Sequence, residues 1–564
     1  MIHFYLNGKY KQLTDLNPNT TVLEYLRLHE RQTDTKEGCG SGDCGACTIM
    51  AQKLPTQDAD RSNHAPFYTL NSCITLLSLM DGHHLMTAAF IADNPANHPD
   101  RALLHPAQQA MVDCHGSQCG FCTPGFVMTL ASTYENHRMQ VAEGSTTDDL
   151  SYDDIVASIS GNLCRCTGYR PIIDAGLVMS EIGRQRDAGQ IIAKDLTISL
   201  ATDAMVSSKP AASNTTNTIA PALTQASRKL FIPHSIDELN QVLAAHPKAT
   251  IWAGGTDLGL SVTQHLVDHE VIVQLSAIDE LKSWSLTDSK SLNGKQSKDT
   301  ESKGKQASEQ IEIQSLVLGA GMSYKQMLPV LEQYFPNFAN LFERIASPQI
   351  RNMGTIGGNV ANASPIGDLP PILLALDAHI HIRHCAAVDS SDIDSAADNT
   401  NDNGVHSNQV PCVDEIIPLS EFFLDYKKTK LRAGSYVVAL HIPLLQDNQH
   451  LYIHKISKRY EDDISACLLA ARIDLSADGL TIENVRLGLG GMAAIPLLAA
   501  KCQQALIGQA VDVASFETAA QMLAMDVSPM TDVRASREYR MHVVQRLIIK
   551  CGKQLVADVK AESA

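Results

Sequence analysis

Cysteine is the residue type most able to do chemistry in this chain, and it is unevenly spread. Nine of the 14 cysteines fall within the first 166 residues. The N-terminus, MIHFYLNGKY, reads as a short alternating strand and lacks the basic-then-apolar pattern of a secretory signal, so a cytoplasmic location is expected. Cytoplasmic thiols stay reduced, and disulfides are not expected. Clustered thiols then ask for a metal. Cys385, Cys412, Cys467, Cys502 and Cys551 are scattered and read as small buried apolar residues without chemistry.

Residues 38–47, GCGSGDCGAC, place Cys39, Cys44 and Cys47 in a C-x4-C-x2-C pattern, and Cys73 follows after 25 intervening residues. Plant-type [2Fe–2S] ferredoxins use this spacing. Two sulfide-bridged irons need four thiolates, so the chain must wrap them closely. Gly38, Gly40, Gly42 and Gly45 give the backbone that freedom and let N–H groups approach the sulfurs. A zinc site would instead use two separated pairs. Further on, Cys119 and Cys122 form a C-x2-C pair in SQCGFCTPG, and Cys164 and Cys166 a C-x-C pair in GNLCRCTGYRP. That spacing alone allows zinc or a second [2Fe–2S] cluster, with C-x-C tilting toward iron. Cys114 reads as a buried non-ligand.

Two glycine-rich stretches could hold an anion. ATIWAGGTDLGL (249–260) reads as a strand entering a Gly-Gly turn and then a helix, a shape suited to a pyrophosphate. RNMGTIGGNVANASPIGDLPP (351–371) offers Thr355, Asn359 and Asp368. Either could equally be a tight structural loop. GLGGMA (488–493) satisfies G-x-G-x-x-A, yet Pro496 interrupts any following helix, so it reads as a structural turn.

The succession GCGSGDCGAC, SQCGFCTPG, NLCRCTGYRPI resembles the molybdenum hydroxylases, a family that includes xanthine dehydrogenases, aldehyde oxidoreductases and carbon monoxide dehydrogenases. The resemblance implies an α+β multidomain chain. Its parts would be a β-grasp plant-type ferredoxin domain, a helical [2Fe–2S] domain, a vanillyl-alcohol oxidase-type FAD domain and a C-terminal α+β flavoprotein domain. It implies that Cys39, Cys44, Cys47 and Cys73 ligate one cluster and Cys119, Cys122, Cys164 and Cys166 the other. Gln118 would contact molybdopterin held by a partner. Ile251, Trp252, Ala253, Gly254, Gly255, Thr256, Asp257 and Leu258 would wrap the FAD diphosphate. Thr355, Ile356, Gly357, Gly358 and Asn359 would continue that contact, and Asp368 would meet the ribityl chain. Lys455 would lie near the flavin ring, flanked by Ile345 and Val437, with Tyr426 and Asp462 on the nicotinamide side.

By the same resemblance the chain holds no substrate-oxidising residue of its own. At 564 residues it offers no room for a molybdopterin-binding region, so a separate large subunit is expected, in a heterotetramer of two small and two large chains. Clusters and flavin on one chain look like the xanthine dehydrogenase branch, implying hypoxanthine and xanthine as substrates and NAD+ as acceptor. An equivalent subunit of an aldehyde- or N-heterocycle-oxidising relative is the neighbouring reading. A free-standing iron–sulfur flavoprotein reductase is the more distant one, and the Gln118 context and CRCTGYRP argue against it.

These groups must be positioned by several domains, since a chain this long exceeds one core. The pattern divides into a ferredoxin-like segment 1–86, with strands at both ends and a helical stretch at 22–30, and a helical segment 87–182. A polar linker 183–229 follows, then a flavin segment 230–445 and a C-terminal segment 446–558. Polar insertions stand near 285–310 and 387–410. A net charge of −17 argues against nucleic acid or an anionic membrane as partner, and no apolar run reaches the ~18–20 residues of a membrane span.

Overall fold

The computed structural model describes residues 1–55, 65–92, 103–146, 148–188, 194, 196–197, 219–288, 314–385, 411–460 and 462–562. Most of the expected linker and nearly all of both polar insertions lie outside the described residues. The chain forms two compact units. The first comprises Met1–Pro233, Ala249–Ser276 and Ala346–Gly354, and the second His234–Lys248, Ala277–Ile345 and Thr355–Ala564.

The first unit opens with β1 (Ile2–Leu6) and β2 (Lys9–Leu13), followed by β3 (Thr48–Lys53), β4 (Phe67–Asn71) and β5 (His83–Met86). Asn7 and Gly8 both take positive φ, 51° and 75°, as a two-residue hairpin joining β1 to β2 requires. The sheet order is β2-β1-β5-β3-β4, with β1 and β5 parallel, the β-grasp arrangement. Ile2, Phe4 and Leu6 point to one face and are buried. Against them pack Val22, Tyr25 and Leu26 from a helical turn Val22–Glu24 that runs on as a π-helix Tyr25–His29.

Four helices follow: Pro106–Asp113, Thr123–Ala142, Tyr152–Ile159 and Arg170–Ala188. Phe126, Leu130, Ile155, Ile172 and Met179 form their shared core. Ser151 starts the third with a capping box, its hydroxyl accepting from the Asp154 N–H. The fourth helix extends to Ala188, into the stretch read as linker. A second small sheet, β6 (Leu223–Gln225), β7 (Arg228–Phe231), β8 (Thr250–Trp252) and β9 (Val271–Gln274), has the order β6-β7-β9-β8. Its Leu223, Leu230, Trp252 and Ile272 share a core with the first sheet. The linker therefore ends earlier than its composition suggests, because β6 opens at Leu223.

The second unit contains an antiparallel sheet of β10 (Trp284–Asp288), β11 (Gln314–Gly319), β12 (His379–His384), β13 (Val413–Pro418) and β16 (Ser435–Pro443). Its order is β10-β11-β16-β12-β13. A small hairpin, β14 (Phe423–Asp425) and β15 (Lys428–Thr429), precedes β16. A further sheet, β17 (Gln449–Ile456), β18 (Cys467–Leu475), β19 (Ile482–Gly490) and β20 (Leu497–Leu498), packs with the long helix Arg537–Glu562 and the helix Val513–Gln521. Among the described residues no helix is long and apolar enough to cross a membrane.

GLGGMA is the turn from β19 to β20. A Cβ on Gly488 would fall 2.0 Å from the Pro371 carbonyl oxygen, so this glycine lets the helix Leu369–Ala375 pack directly on the sheet.

Candidate functional site

The C-x4-C-x2-C loop leads into β3. Because Thr48 pairs with Asn71 across β3 and β4, Cys47 and Cys73 leave the two strands side by side. Register thus explains the lone fourth cysteine. Cys47 and Cys73 are buried, while Cys39 and Cys44 are half-exposed. The thiols meet as pairs, Cys39 with Cys44 and Cys47 with Cys73. In each pair one is held below the usual thiol range by its partner's hydrogen bond and the other is raised by it. The N–H groups of Ser41 and Cys44 both donate to Cys39 Sγ at 3.4 Å. Gly40, Gly42 and Gly45 take positive φ. Gly38 does not; it makes room, since a Cβ there would lie 2.7 Å from Cys44 Sγ.

Late parts of the chain brace this loop. The Thr263 hydroxyl donates to the Gly40 carbonyl at 2.8 Å, and Gln264 Nε2 to the same oxygen at 3.0 Å. Both residues follow directly on the Ile251–Leu258 stretch. Gly259 allows that connection to press on the loop, for a Cβ there would fall 2.3 Å from the carbonyl oxygen of Ile74, next to Cys73.

Cys119 and Cys122 precede the helix Thr123–Ala142, and Cys164 and Cys166 lie between the third and fourth helices. Cys119 stands beside Cys166, and Cys122 beside Cys164. The Phe121 N–H and then Cys166 hold the Cys119 thiol down, while the bond to Cys119 raises Cys166. Burial pushes Cys122 up to about 12. Burial also opposes ionisation of Cys164, but hydrogen bonds from Thr167 prevail and lower it. Tyr169, at φ 69°, turns its hydroxyl to accept the Cys164 N–H at 3.0 Å. Cys119 and Cys166 are exposed, as is Gln118 beside them.

The two thiol sets adjoin. The Leu163 N–H, adjacent to Cys164, donates to the Cys44 carbonyl at 3.0 Å. Below that bond, Asn162 Nδ2 donates to the Gly45 carbonyl at 3.0 Å and accepts at Oδ1 from Thr129. Gln349 Nε2 reaches both Asn162 Oδ1 and the Thr48 hydroxyl. This buried network ties both thiol loops to the segment Ala346–Gly354, and nothing in residue spacing announced it.

Thiols facing one another in twos fit the four-thiolate donor set that a [2Fe–2S] cluster takes. Among the described residues no group of three or more His, Cys, Asp or Glu is arranged to hold a single ion.

The residues expected at the flavin fall in both units. In the first, Trp252 ends β8 fully buried, and its Nε1 has no partner among the described residues. Gly255 follows at φ 72°. A Cβ on Gly254 would fall 1.8 Å from the Met353 carbonyl oxygen, so the turn admits only backbone. Thr256 and Asp257 beyond it are at least partly exposed. In the second unit, Thr355 Oγ1 accepts the Gly358 N–H at 3.2 Å, Ile356 and Gly357 are buried, and Asn359 Oδ1 is buried without a partner. Such a glycine-only turn and such orphaned polar atoms fit a ligand that brings its own donors and acceptors.

Asp368 and Lys455, expected as separate flavin contacts, are joined. Lys455 Nζ donates to Asp368 Oδ2 at 2.8 Å and to the Arg344 carbonyl, and the Ser465 hydroxyl donates to Asp368 Oδ1. Ile345 and Val437 are buried, whereas Tyr426 is exposed on the β14–β15 turn and Asp462 takes φ 51°.

Residues 4–78 match the 2Fe-2S iron-sulfur cluster binding domain and residues 94–177 the [2Fe-2S] binding domain. Residues 224–295 and 305–408 match the FAD binding domain in molybdopterin dehydrogenase, and 452–555 the CO dehydrogenase flavoprotein C-terminal domain. Two paired-thiol sites followed by these flavin domains define an iron–sulfur flavoprotein of the oxidoreductase class. Together these domains fit the iron–sulfur and FAD part of the molybdenum hydroxylases.

Xanthine dehydrogenase of Blastobotrys adeninivorans is 28% identical over 90% of this chain and 37% of its own length. Xanthine dehydrogenase 1 of Arabidopsis thaliana is 26% identical over 93% of this chain and 37% of its own. The chain thus spans little more than a third of the relatives it matches. A solved structure, quinoline 2-oxidoreductase from Pseudomonas putida 86, is 23% identical over 58% of this chain and 98% of that chain, with a TM-score of 0.44.

Proposed function

We propose that this chain is the electron-transfer subunit of a cytoplasmic xanthine dehydrogenase, working with a molybdopterin-binding large subunit in a heterotetramer of two small and two large chains. Electrons released in oxidising hypoxanthine and xanthine to urate would enter at the Cys119/Cys122/Cys164/Cys166 cluster, pass to the Cys39/Cys44/Cys47/Cys73 cluster and FAD, and leave to NAD+. Bound FAD supplies the conversion of single-electron steps into a two-electron hydride transfer.

The observation that carries this reading is the contact between the thiol sets. The Leu163–Cys44 hydrogen bond links the two loops, and Thr263 and Gln264 fix the first loop to the end of the proposed diphosphate stretch. Exposure sets the direction. Cys119 and Cys166 face outward, so the second set is the one a partner's metal centre can approach, and Gln118 beside them is proposed to meet molybdopterin. The first set, with Cys47 and Cys73 buried, would receive electrons from it. Ile251–Leu258 and Thr355–Asn359 are proposed to hold the FAD, with the Lys455–Asp368 pair, Ile345 and Val437 near it and Tyr426 and Asp462 toward the nicotinamide. The purine substrate rests on the relatives' names.

Co-expression with a molybdopterin-binding large subunit, followed by metal and flavin analysis, tests the reading. About four irons and one FAD per small chain are expected, with NAD+ reduced when xanthine is added. Cys44→Ser and Cys122→Ser should each remove one of two distinct EPR signals. Loss of both signals from either variant, or a preparation that reduces NAD+ with an aldehyde but not with xanthine, overturns the corresponding part.

A further inference from the structure

Cys385 and Cys412 were two of the cysteines read from sequence as inert, and the second unit brings them together. β12 and β13 pair with His384 opposite Val413, which makes Cys385 and Cys412 the next opposed positions at the end of that ladder. Their sulfurs stand 2.7 Å apart. Opposed residues of an antiparallel pair hold their Cβ atoms close to the span a disulfide needs, so with the sulfurs already this near a bond can close with a small local adjustment.

The two thiols differ in surroundings. Cys385 is fully buried, and its S–H donates at 3.2 Å to Asn240 Oδ1, which also accepts the Tyr436 hydroxyl at 2.9 Å. Cys412 is only half-buried, so a small reagent reaches it first. Arg383, paired with Asp414 at 2.6 Å, acts on both thiols, and Asp237 and Tyr436 also face them. Burial pushes both thiols up, which makes the pair slow to react and a poor fast sensor.

We infer that Cys385 and Cys412 form a reversible dithiol–disulfide site, oxidised by a hydroperoxide and reset by a dithiol reductant. Cys412 sulfur attacks the peroxide oxygen, and the O–O bond breaks. The thiol proton goes to the departing oxygen, leaving a sulfenic acid and one alcohol or water. Cys385 sulfur then attacks Cys412 sulfur, the S–O bond breaks, and hydroxide leaves with the Cys385 proton as water. Two electrons pass from the sulfur pair to the peroxide. The pair belongs to the second unit and the cluster cysteines to the first, and the inference does not depend on the electron-transfer role.

The test uses the full-length holoprotein, treated with hydrogen peroxide, denatured with iodoacetamide, digested without reduction and read by mass spectrometry. The expected product is a linked pair of fragments bearing Cys385 and Cys412, about 2 Da lighter than the two thiols together and separated by dithiothreitol. Cys412→Ser should leave Cys385 fully alkylated. Cys385→Ser should let peroxide carry Cys412 on to the sulfinic acid. Recovery of both wild-type cysteines as alkylated thiols overturns the inference, as does sulfinic acid at wild-type Cys412 without a link. Because only these fragments are read, the result is independent of cluster and flavin content.

Discussion

The Lys455–Asp368 pair shows how much one residue contact can decide. Their side chains are 1% and 11% exposed, so neither charge has water to replace its partner. Removing one member of a buried pair leaves the other uncompensated, at a cost of about 3–5 kcal/mol. Lys455→Met should therefore lower stability by roughly that amount in a urea melt and release flavin, while Lys455→Arg should recover part of both. A Lys455→Met protein with unchanged melt and flavin content would show that the pair matters to neither.

Histidine supplies the pH dependence. Burial pushes His84 down to about 4, and its Nε2 accepts the Gly8 N–H at 3.1 Å, which the protonated ring could not do. Unfolded, the ring takes its proton near 6.5, so the folded state is fully favoured above that pH and loses stability as pH falls toward about 4. The loss is on the order of 3 kcal/mol. His441, pushed down to about 4 by burial, acts in the same sense in the second unit. His84→Gln keeps an acceptor for Gly8 without the titration and should flatten the acid limb of a stability–pH curve. An acid limb unchanged by that substitution would remove His84 from the account.

At the scale of elements, legibility followed chemistry more closely than shape. The two cysteine sets were legible from their spacing, and the structure brings Cys39 to Cys44, Cys47 to Cys73, Cys119 to Cys166 and Cys122 to Cys164. β5 was not readable, since HHLM carries no alternation and is set by its neighbours β1 and β3. The helix Arg170–Ala188 was only partly legible, its first part lying in the segment read as helical and its last turns in the stretch read as linker. It begins just after CRCTG, and its many exposed polar residues resemble the linker that follows. The Asn162–Thr48–Gln349 network was invisible because it joins residues up to 301 positions apart. Gly488 lies in a nucleotide-like pattern that Pro496 marks in the sequence as a structural turn, and the structure uses it for packing. Gly488→Ala should cost about 1–3 kcal/mol from overpacking and leave NAD+ affinity as it was. A loss of affinity with unchanged stability would overturn the structural reading of this turn.

For the whole molecule, the decisive feature is the exposed side of the second thiol set. Val112 and Leu163, in the helical segment that carries this set, are 58% and 42% exposed, apolar surface suited to the proposed large subunit. Their joint replacement by glutamate should abolish co-purification of that subunit while both EPR signals persist, because the Leu163 contact to Cys44 is made by its backbone N–H. Co-purification in normal yield would put the interface elsewhere. A net charge of −17 makes the added carboxylates harmless to solubility.

The loop around Cys39–Cys47 is roofed by residues that leave the ribosome long after it: Thr263 and Gln264 above Gly40, and Ile350 against Gly42. Once they settle, Cys47 and Cys73 are sealed from any delivery protein. Iron would therefore be expected to enter the first site before these later segments dock, whereas the more exposed second site would stay open to filling or repair afterwards.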